Sequence, residues 1–370
     1  MRGLCQTVLA VALAWGPAAR AAPASASSER GRRLLDDAVL ASVNVRPLDA
    51  SQDLSPRFRA AVEENPRYVP ALLDYAVALD RAGKLEEAQS AYRAAAAADG
   101  FPELRFEAAA RAAAIAVDRA DVAGARTAVG LARAALPEDA SPLVLESRVA
   151  LALQDIPAAQ AAARAALMRD ANDPDALCAL ARVHLAQRNL GTAKILAARA
   201  AQVDPDDAEA LVVQAEIARA SGDPAGELAA ARAAVDADYE SSNAALALGR
   251  ALFERGFVTE AVEQLAHAVA LGPESPANRL ALGVVLASQG EKQQAEMHLT
   301  LAARLAPAWP EIHFELARLR EAEGDAKTAL AEAKLFLRLS SGAPVDHPAR
   351  AIVQRCEETL RTRAQASVVQ

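Results

Sequence analysis

The sequence has few aromatic residues and no excess of positive charge. Phenylalanine, tryptophan and tyrosine make up 4% of its 370 residues, and 48 acidic residues outnumber 40 basic ones. Proteins that bind nucleic acid use clustered lysine and arginine to neutralise phosphates, and many of them stack bases on aromatic rings. The composition therefore argues against a nucleic acid as the partner of this chain.

Cysteine and histidine are scarce and scattered. Cys178 and Cys356 lie far apart, neither belongs to a C-x-x-C motif, and the third cysteine is Cys5. Zinc sites on helices use two histidines four residues apart with a third ligand nearby. None of the five histidines fits that pattern: they are His184, His267, His298, His313 and His347. We therefore expect no metal site and no disulfide.

The glycine motifs of phosphate-binding and nucleophilic enzymes are missing as well. The sequence contains no P-loop, no dinucleotide-binding glycine loop and no G-x-S-x-G elbow. Glycine in a phosphate-binding loop lets the backbone approach the phosphate closely. Glycine in the elbow allows the sharp turn that exposes the serine nucleophile. We therefore expect no cofactor and no enzyme activity.

The N-terminus has the pattern of an export signal. Arg2 precedes a mostly apolar run from Leu4 to Trp15, and the small-x-small triplet at 19–21 follows it. The run is shorter than the roughly 20 apolar residues that span a bilayer, and no later run approaches that length. We expect residues 1–21 to be a signal peptide, 22–33 a flexible leader, and the mature chain to lie in a bacterial periplasm without a membrane span.

A period of 34 residues organises most of the remaining chain. The blocks 242–275 and 276–309 repeat the same order of small and large apolar residues. The matching pairs are Leu248 with Leu282, Gly249 with Gly283, Leu252 with Leu286, Gly256 with Gly290, Ala261 with Ala295 and Leu265 with Leu299. This pattern resembles the tetratricopeptide repeat, a helix-turn-helix unit. The resemblance implies an all-α fold, a right-handed superhelical solenoid of paired antiparallel helices.

The same register extends over residues 69–341 as eight repeats. They begin at Val69, Phe106, Ala140, Pro174, Ala208, Ser242, Pro276 and Pro310. Residues 34–68 fit an N-terminal helix and a degenerate half-repeat, 348–363 a capping helix, and 364–370 a loose tail. Most repeats carry alanine where Ala261 and Ala268 stand, which lets paired helices approach closely. Glu227 and Phe336 break that rule, so we expect the fifth repeat to be the least regular.

In tetratricopeptide arrays the fifth and ninth residues of each repeat commonly face a concave groove that receives a peptide or a helix. The ninth residues here include four arginines, interrupted once by Glu216, and the fifth residues are nearly all apolar. The candidate groove residues are Arg148, Arg182, Arg250, Arg318, Val144, Val212, Leu246, Leu280 and Phe314. The lysine and asparagine of the family's carboxylate clamp do not stand at these positions, which disfavours a receptor of that kind.

Two interpretations of the arginine row remain open. Guanidinium groups pair well with carboxylates, so the row could hold a peptide or helix that carries acidic and apolar groups. The arginines could instead pair within the chain, with Glu146, Asp175, Glu209, Glu216 or Glu311. A related possibility is that the segment 22–50, with the apolar residues Leu34, Leu35, Val39 and Leu40, occupies the groove itself.

The resemblance implies a scaffold or adaptor that binds protein partners. We expect it to serve a bacterial envelope complex for secretion, motility, pili or polysaccharide export, with self-association possible. The alternative is an accessory subunit that presents a client protein to a maturation enzyme. The residues themselves do not choose between these roles.

Overall fold

The computed structural model describes residues 33–35, 38, 53–340 and 342–369, with side chains described as far as Gln365. The predicted signal peptide and nearly all of the predicted leader lie outside these residues. Between residues 53 and 369 the described chain contains helices and no strand. This confirms the predicted all-α class.

Eighteen helices follow one another in that range. They are α1 Ser55–Glu64, α2 Val69–Arg81, α3 Leu85–Ala97, α4 Pro102–Asp118, α5 Val122–Ala135, α6 Ser141–Ala152, α7 Ile156–Arg169, α8 Pro174–Ala186, α9 Leu190–Val203, α10 Ala208–Ala220, α11 Pro224–Ala237, α12 Ser242–Glu254, α13 Val258–Leu271, α14 Pro276–Ser288, α15 Lys292–Leu305, α16 Pro310–Ala322, α17 Ala326–Leu339 and α18 Pro348–Val369. The even-numbered helices from α2 to α16 begin the eight repeats. Each packs chiefly on its neighbours in sequence and on the next even-numbered helix, the arrangement of a solenoid.

The turn inside each repeat has a recurring local cause. One residue in each turn has a positive φ, and in the repeat that contains α12 it is Gly256, with φ 80°. Glycine adopts this conformation without steric cost. Gln154 adopts the same conformation, with φ 61°, and its Cβ makes this conformation sterically costly. In several repeats a polar residue then caps the second helix, as Asp155 does by accepting a hydrogen bond from the Ala158 amide. These short signals end one helix and start the next.

Within a repeat, residue sizes on the two helices are matched. Gly249 on α12 faces Leu265 on α13, and a Cβ at Gly249 would lie 2.5 Å from the Leu265 Cγ. Gly283 and Leu299 make the same pair one repeat later. Glycine on the first helix therefore allows a leucine on the second to be fully buried.

Both ends of the stack are covered by additional helix. At the N-terminal end Leu35 and Ala38 are buried against Phe58 and Tyr68. At the C-terminal end α18 packs on α17 and continues past its predicted end at Arg363 to Val369, so the predicted loose tail is helical there. These helices bury the faces that no further repeat would cover.

An aromatic cluster supports the C-terminal end. Phe336, one of the two departures from alanine, lies 5.5 Å from Phe314 and stacks on His347 with ring centroids 4.5 Å apart. The large side chain thus fills space next to the segment that leads into α18. Cys356, on the buried side of α18, is a free thiol.

The stack also contacts itself across a long sequence separation. Nη1 of Arg111 on α4 lies 3.5 Å from Oε1 of Glu274, in the loop before α14. Leu305, at the end of α15, packs against the hydrophobic cluster of α2 to α5. A Cβ at Gly83 would lie 3.7 Å from a guanidinium nitrogen of Arg304. We call these three juxtapositions the closure contact.

Carboxyl groups with raised pKa values lie beside the closure contact. Asp80 is buried and accepts a hydrogen bond of 3.4 Å from the Tyr92 hydroxyl. Burial, with a smaller effect of Glu274, raises the pKa of Asp80 to about 6. Burial and the charge of Asp80 raise the pKa of Asp118 to about 7. Both groups are therefore held in surroundings that disfavour their charged forms.

Candidate functional site

A cavity of about 370 Å³ lies along the first helices of four consecutive repeats, α6, α8, α10 and α12. We call it the central cavity. It is lined by Arg148, Leu151, Ala152, Arg182, Val212, Ala215, Glu216, Arg219, Glu227, Asn243, Leu246, Ala247 and Arg250. The cavity is open to solvent, and its lining mixes apolar side chains with four guanidinium groups.

The repeat register explains which side chains meet there. A step of 34 residues returns the chain to the same face of the next first helix. The ninth residues of these four repeats therefore all line the central cavity: they are Arg148, Arg182, Glu216 and Arg250. Two predicted fifth residues, Val212 and Leu246, line it as well.

The other predicted groove residues lie elsewhere. Val144 is buried in the core between α6 and the neighbouring repeat. Leu280 packs on the hydrophobic cluster that includes α14, and Phe314 lies in the C-terminal aromatic cluster. Arg318 is exposed, pairs with Glu315 at 2.9 Å and lies 5.9 Å from the centre of the Phe314 ring. The structure thus brings five of the nine predicted residues together.

Arg182 is held by two carboxylates from the next repeat. Its Nε lies 3.0 Å from Oε2 of Glu216, its Nη2 lies 3.2 Å from the other oxygen, and Nη1 bonds to Glu209. Arg148 also bonds to Glu209, at 2.7 Å. Burial alone would raise the pKa of Glu209, but Arg182 and Arg148 together hold that pKa below its usual value. The internal pairing proposed from the sequence therefore exists for these two arginines.

Arg250 differs from the other cavity arginines. No described residue forms an ion pair or a hydrogen bond with its guanidinium group. Burial, with the charge of Arg219, lowers the pKa of Arg250, and the charges of Glu216 and Glu254 only partly offset this. Arg250 is consequently a half-buried cation without a direct partner in the described chain.

Glu227 and Arg219 are cavity residues that the groove prediction did not include. Glu227 is 5% exposed, and its Oε1 lies 3.8 Å from Nε of Arg219. Burial, with the charge of Glu254, raises the pKa of Glu227. Its signal was visible in the sequence, because Glu227 stands where most repeats carry alanine. What the pattern could not show is that this departure places a carboxylate at the cavity.

Two buried groups outside the central cavity, the Cys178 thiol and the His313 imidazole, are held by their surroundings. Burial raises the pKa of the Cys178 thiol to about 12, so this cysteine is not a ready nucleophile. His313 is buried and satisfied by Glu332 at 2.7 Å and the Pro307 carbonyl at 2.9 Å. Among the described residues no group of acids, histidines and cysteines could hold a metal ion, and no described helix is long and apolar enough to cross a bilayer.

Comparison with solved structures supports the fold. One chain of the APC/C hetero-tetramer Cut9–Hcn1 is similar with a TM-score of 0.51 and 14% identity over 87% of this chain. The match spans 55% of that chain, about half of its length. PilF from Pseudomonas aeruginosa gives a TM-score of 0.45 and 23% identity, covering 53% of this chain and 87% of that one. YrrB, described as a TPR protein with an unusual peptide-binding site, gives 0.32 and 19%, covering 50% of this chain and 95% of that one.

Sequence comparison identifies the repeats directly. No curated protein sequence matches the chain significantly. The family model described as tetratricopeptide repeat matches residues 55–101, 178–242 and 246–308. These segments cover nearly all of the two blocks 242–275 and 276–309, and the helices there pack as consecutive pairs. Residues 55–101, 178–242 and 246–308 are therefore tetratricopeptide repeats.

Proposed function

We propose that this chain is a non-enzymatic scaffold that binds a partner protein in the central cavity, as a peptide or a helix. The observation that carries the proposal is the cavity itself, which runs along the first helices of four repeats and combines apolar and charged side chains. Such a surface can bury apolar anchors of a partner while polar groups fix its orientation. The match to a family of interaction modules supports the same role.

The N-terminal export pattern supports a place in a bacterial cell envelope. The pattern indicates a compartment, but it does not identify the complex in which the chain acts. We propose that the partner is a member of an envelope complex, because the signal pattern would deliver this chain to the compartment in which such complexes lie. Identification of the partner therefore decides the process in which the scaffold acts.

The test is photo-crosslinking in the source cells from two matched positions. A photoreactive residue replaces Ala152, an exposed residue that lines the central cavity. In the control it replaces Ile195, which is 70% exposed on the second helix α9 and does not line the cavity. We expect one protein to be crosslinked from position 152 and not from 195.

Two outcomes would contradict the proposal. If position 195 captures the same protein equally well, the surface of the second helices binds the partner. If position 152 captures nothing while 195 captures a protein, the central cavity is not the working surface. Mass spectrometry of the crosslinked product identifies the partner and hence the compartment.

A further inference from the structure

The central cavity contains one arginine that no described residue of the chain pairs. We propose that the Arg250 guanidinium is a subsite for one side-chain carboxylate of the partner protein. This inference rests on the proposed function, because it assigns the chemistry that the scaffold recognises. It also narrows the hypothesis drawn from the sequence, in which Arg148, Arg182, Arg250 and Arg318 formed one anion-binding row.

Three of the four cavity arginines already have carboxylate partners. Arg182 is bonded to Glu209 and Glu216, and Arg148 shares Glu209. Arg219 has Glu227 at 3.8 Å. To bind a partner's carboxylate, each of these three arginines would have to share or exchange the carboxylate with which it is already paired. Arg250 can bind a carboxylate without breaking an ion pair with any described residue.

The surroundings of Arg250 strengthen such a contact. Leu246 and Ala247 precede it by one turn on α12, and Ala215 faces the cavity from α10. Apolar neighbours reduce the local dielectric response, so an ion pair formed there is stronger than one on an open surface. The lowered pKa of Arg250 agrees with this desolvation. A partner that fits has an acidic residue next to apolar ones.

The carboxylates near the subsite favour a singly charged ligand group. Glu216 and Glu227 line the cavity, and Glu254 is close enough to affect the electrostatics of Arg250. These groups repel a phosphate dianion more strongly than a carboxylate. Partial burial also costs the dianion more, because desolvation grows with the square of the charge while attraction to Arg250 grows only in proportion to it. Guanidinium also binds carboxylate through two parallel hydrogen bonds. The subsite therefore favours glutamate or aspartate over a phosphorylated residue.

The experiment follows the arginine Nε–Hε NMR signals of the full chain during titration with probe peptides. The first probe is the acetylated and amidated peptide Ala-Leu-Glu-Ala-Leu, and the second carries glutamine in place of glutamate. A third has glutamine inside and a free C-terminal carboxylate, and inorganic phosphate is the fourth. The Arg250 signal is assigned by its disappearance in Arg250→Lys.

We expect the glutamate peptide to shift the Arg250 signal saturably. A charge-assisted hydrogen-bonded pair should make the glutamine peptide at least about tenfold weaker. Phosphate and the C-terminal carboxylate should give smaller shifts at equal concentration. Arg250→Met should weaken the glutamate peptide to the level of the glutamine peptide, and Arg250→Lys should restore part of the difference because it keeps the charge.

Arg318→Met is the matched control, because Arg318 occupies the same ninth position but lies outside the central cavity and pairs with Glu315. It should leave binding of the glutamate peptide unchanged. Equal affinity of the glutamate and glutamine peptides in the wild type would overturn the subsite. A stronger response to phosphate than to the glutamate peptide would overturn its carboxylate specificity.

The outcomes separate the subsite from the proposed function. If both peptides shift cavity signals with equal affinity, the central cavity binds protein segments but Arg250 does not select acid. If neither shifts any cavity signal, the subsite is rejected, and crosslinking from position 152 independently decides whether the cavity binds a partner. The full chain is used throughout, with thermal unfolding as a check on each variant.

Discussion

Two stretches of the stack present the same repeat positions with opposite chemistry. On α2 and α4, Asp80 occupies the position that Arg219 occupies beside the central cavity, and Glu107 occupies that of Asn243. The first stretch is acidic and meets the chain's own Glu274 through Arg111, whereas the second is rich in arginine and open. The repeat register decides which positions face this side. The side chains at those positions decide whether a stretch contacts its own chain or remains accessible.

The two stretches also differ in how firmly they are held. The ion pair of the closure contact spans 3.5 Å, and the side chain of Arg111 is 44% exposed. Exposed pairs of this kind contribute little to stability, about 0 to 1 kcal/mol. In the central cavity Arg182 is only 17% exposed and has two carboxylate partners. We call the ion pairs that Arg182 makes with Glu209 and Glu216 the central network. The comparison predicts that the central network stabilises the fold and that the closure contact can be opened.

The largest expected effect comes from removing the buried cation of the central network. Arg182→Met leaves Glu209 and Glu216 without their main partner in a partly desolvated place. We expect the free energy of unfolding to fall by about 2 to 3 kcal/mol, because an uncompensated buried charge is costly. Urea-induced unfolding followed by circular dichroism measures the change.

Arg148→Met is the matched control for that prediction. Arg148 contacts the same Glu209 but its side chain is 48% exposed. We expect a loss below about 1 kcal/mol, since solvent screens an exposed pair. Equal losses in the two variants would show that burial of Arg182 does not distinguish the central network.

A pH-dependent effect of intermediate size is expected in the acidic stretch. The pKa of Asp118 is raised to about 7, so the folded chain binds more protons than the unfolded chain between about pH 4 and 7. Stability contributed by this group is therefore lost as the pH rises through that window. Asp118→Asn should raise the free energy of unfolding by on the order of 1 kcal/mol at pH 8 and leave it unchanged near pH 3.

Thermal unfolding at several pH values checks this prediction. Asp236→Asn on the second helix α11 is the control, because Asp236 is exposed. Asp173→Asn is unsuitable, because the Asp173 side chain caps α8. Asp236→Asn should give no pH-dependent gain. An Asp118→Asn variant that is less stable than the wild type at pH 8 would contradict the prediction.

The smallest energetic effect is expected at the closure contact, where the change is one of shape. Glu274→Lys replaces the ion pair with Arg111 by a repulsion, and we expect less than about 1 kcal/mol of destabilisation. The radius of gyration from small-angle X-ray scattering should increase as the contact opens. Lower salt should enlarge the difference because surface charges are then screened less.

Glu240→Lys provides the control, because Glu240 stands 34 residues before Glu274 and is exposed. It makes the same charge change without touching the closure contact. Scattering curves that are identical for Glu274→Lys and the wild type would show that Leu305 and Arg304 hold the stack closed without the ion pair.

Much of the candidate site could be predicted from the sequence, because it depends on register. The ninth positions share a face, and Arg148, Arg182 and Arg250 do line one cavity. The prediction failed to separate them, since pairing depends on carboxylates of other repeats: Glu209 reaches Arg148 across 61 residues of sequence. Replacing Arg148 and Arg182 by glutamate would therefore disturb the fold as well as any binding, so Arg250 is the better residue for a binding test.

The sequence by itself determined the repeat, its helices and their ends. These depend on local causes, namely a 34-residue apolar pattern, glycine or polar turn residues and side-chain caps, which act within a few residues of where they stand. Only the tertiary structure decided that α2 and α4 meet the loop at Glu274, and that Arg250 alone among the cavity arginines lacks a direct partner in the described chain. The first depends on small rotations between repeats that accumulate along the stack, and no single repeat encodes their sum. The second depends on which side chains the neighbouring repeats place beside Arg250.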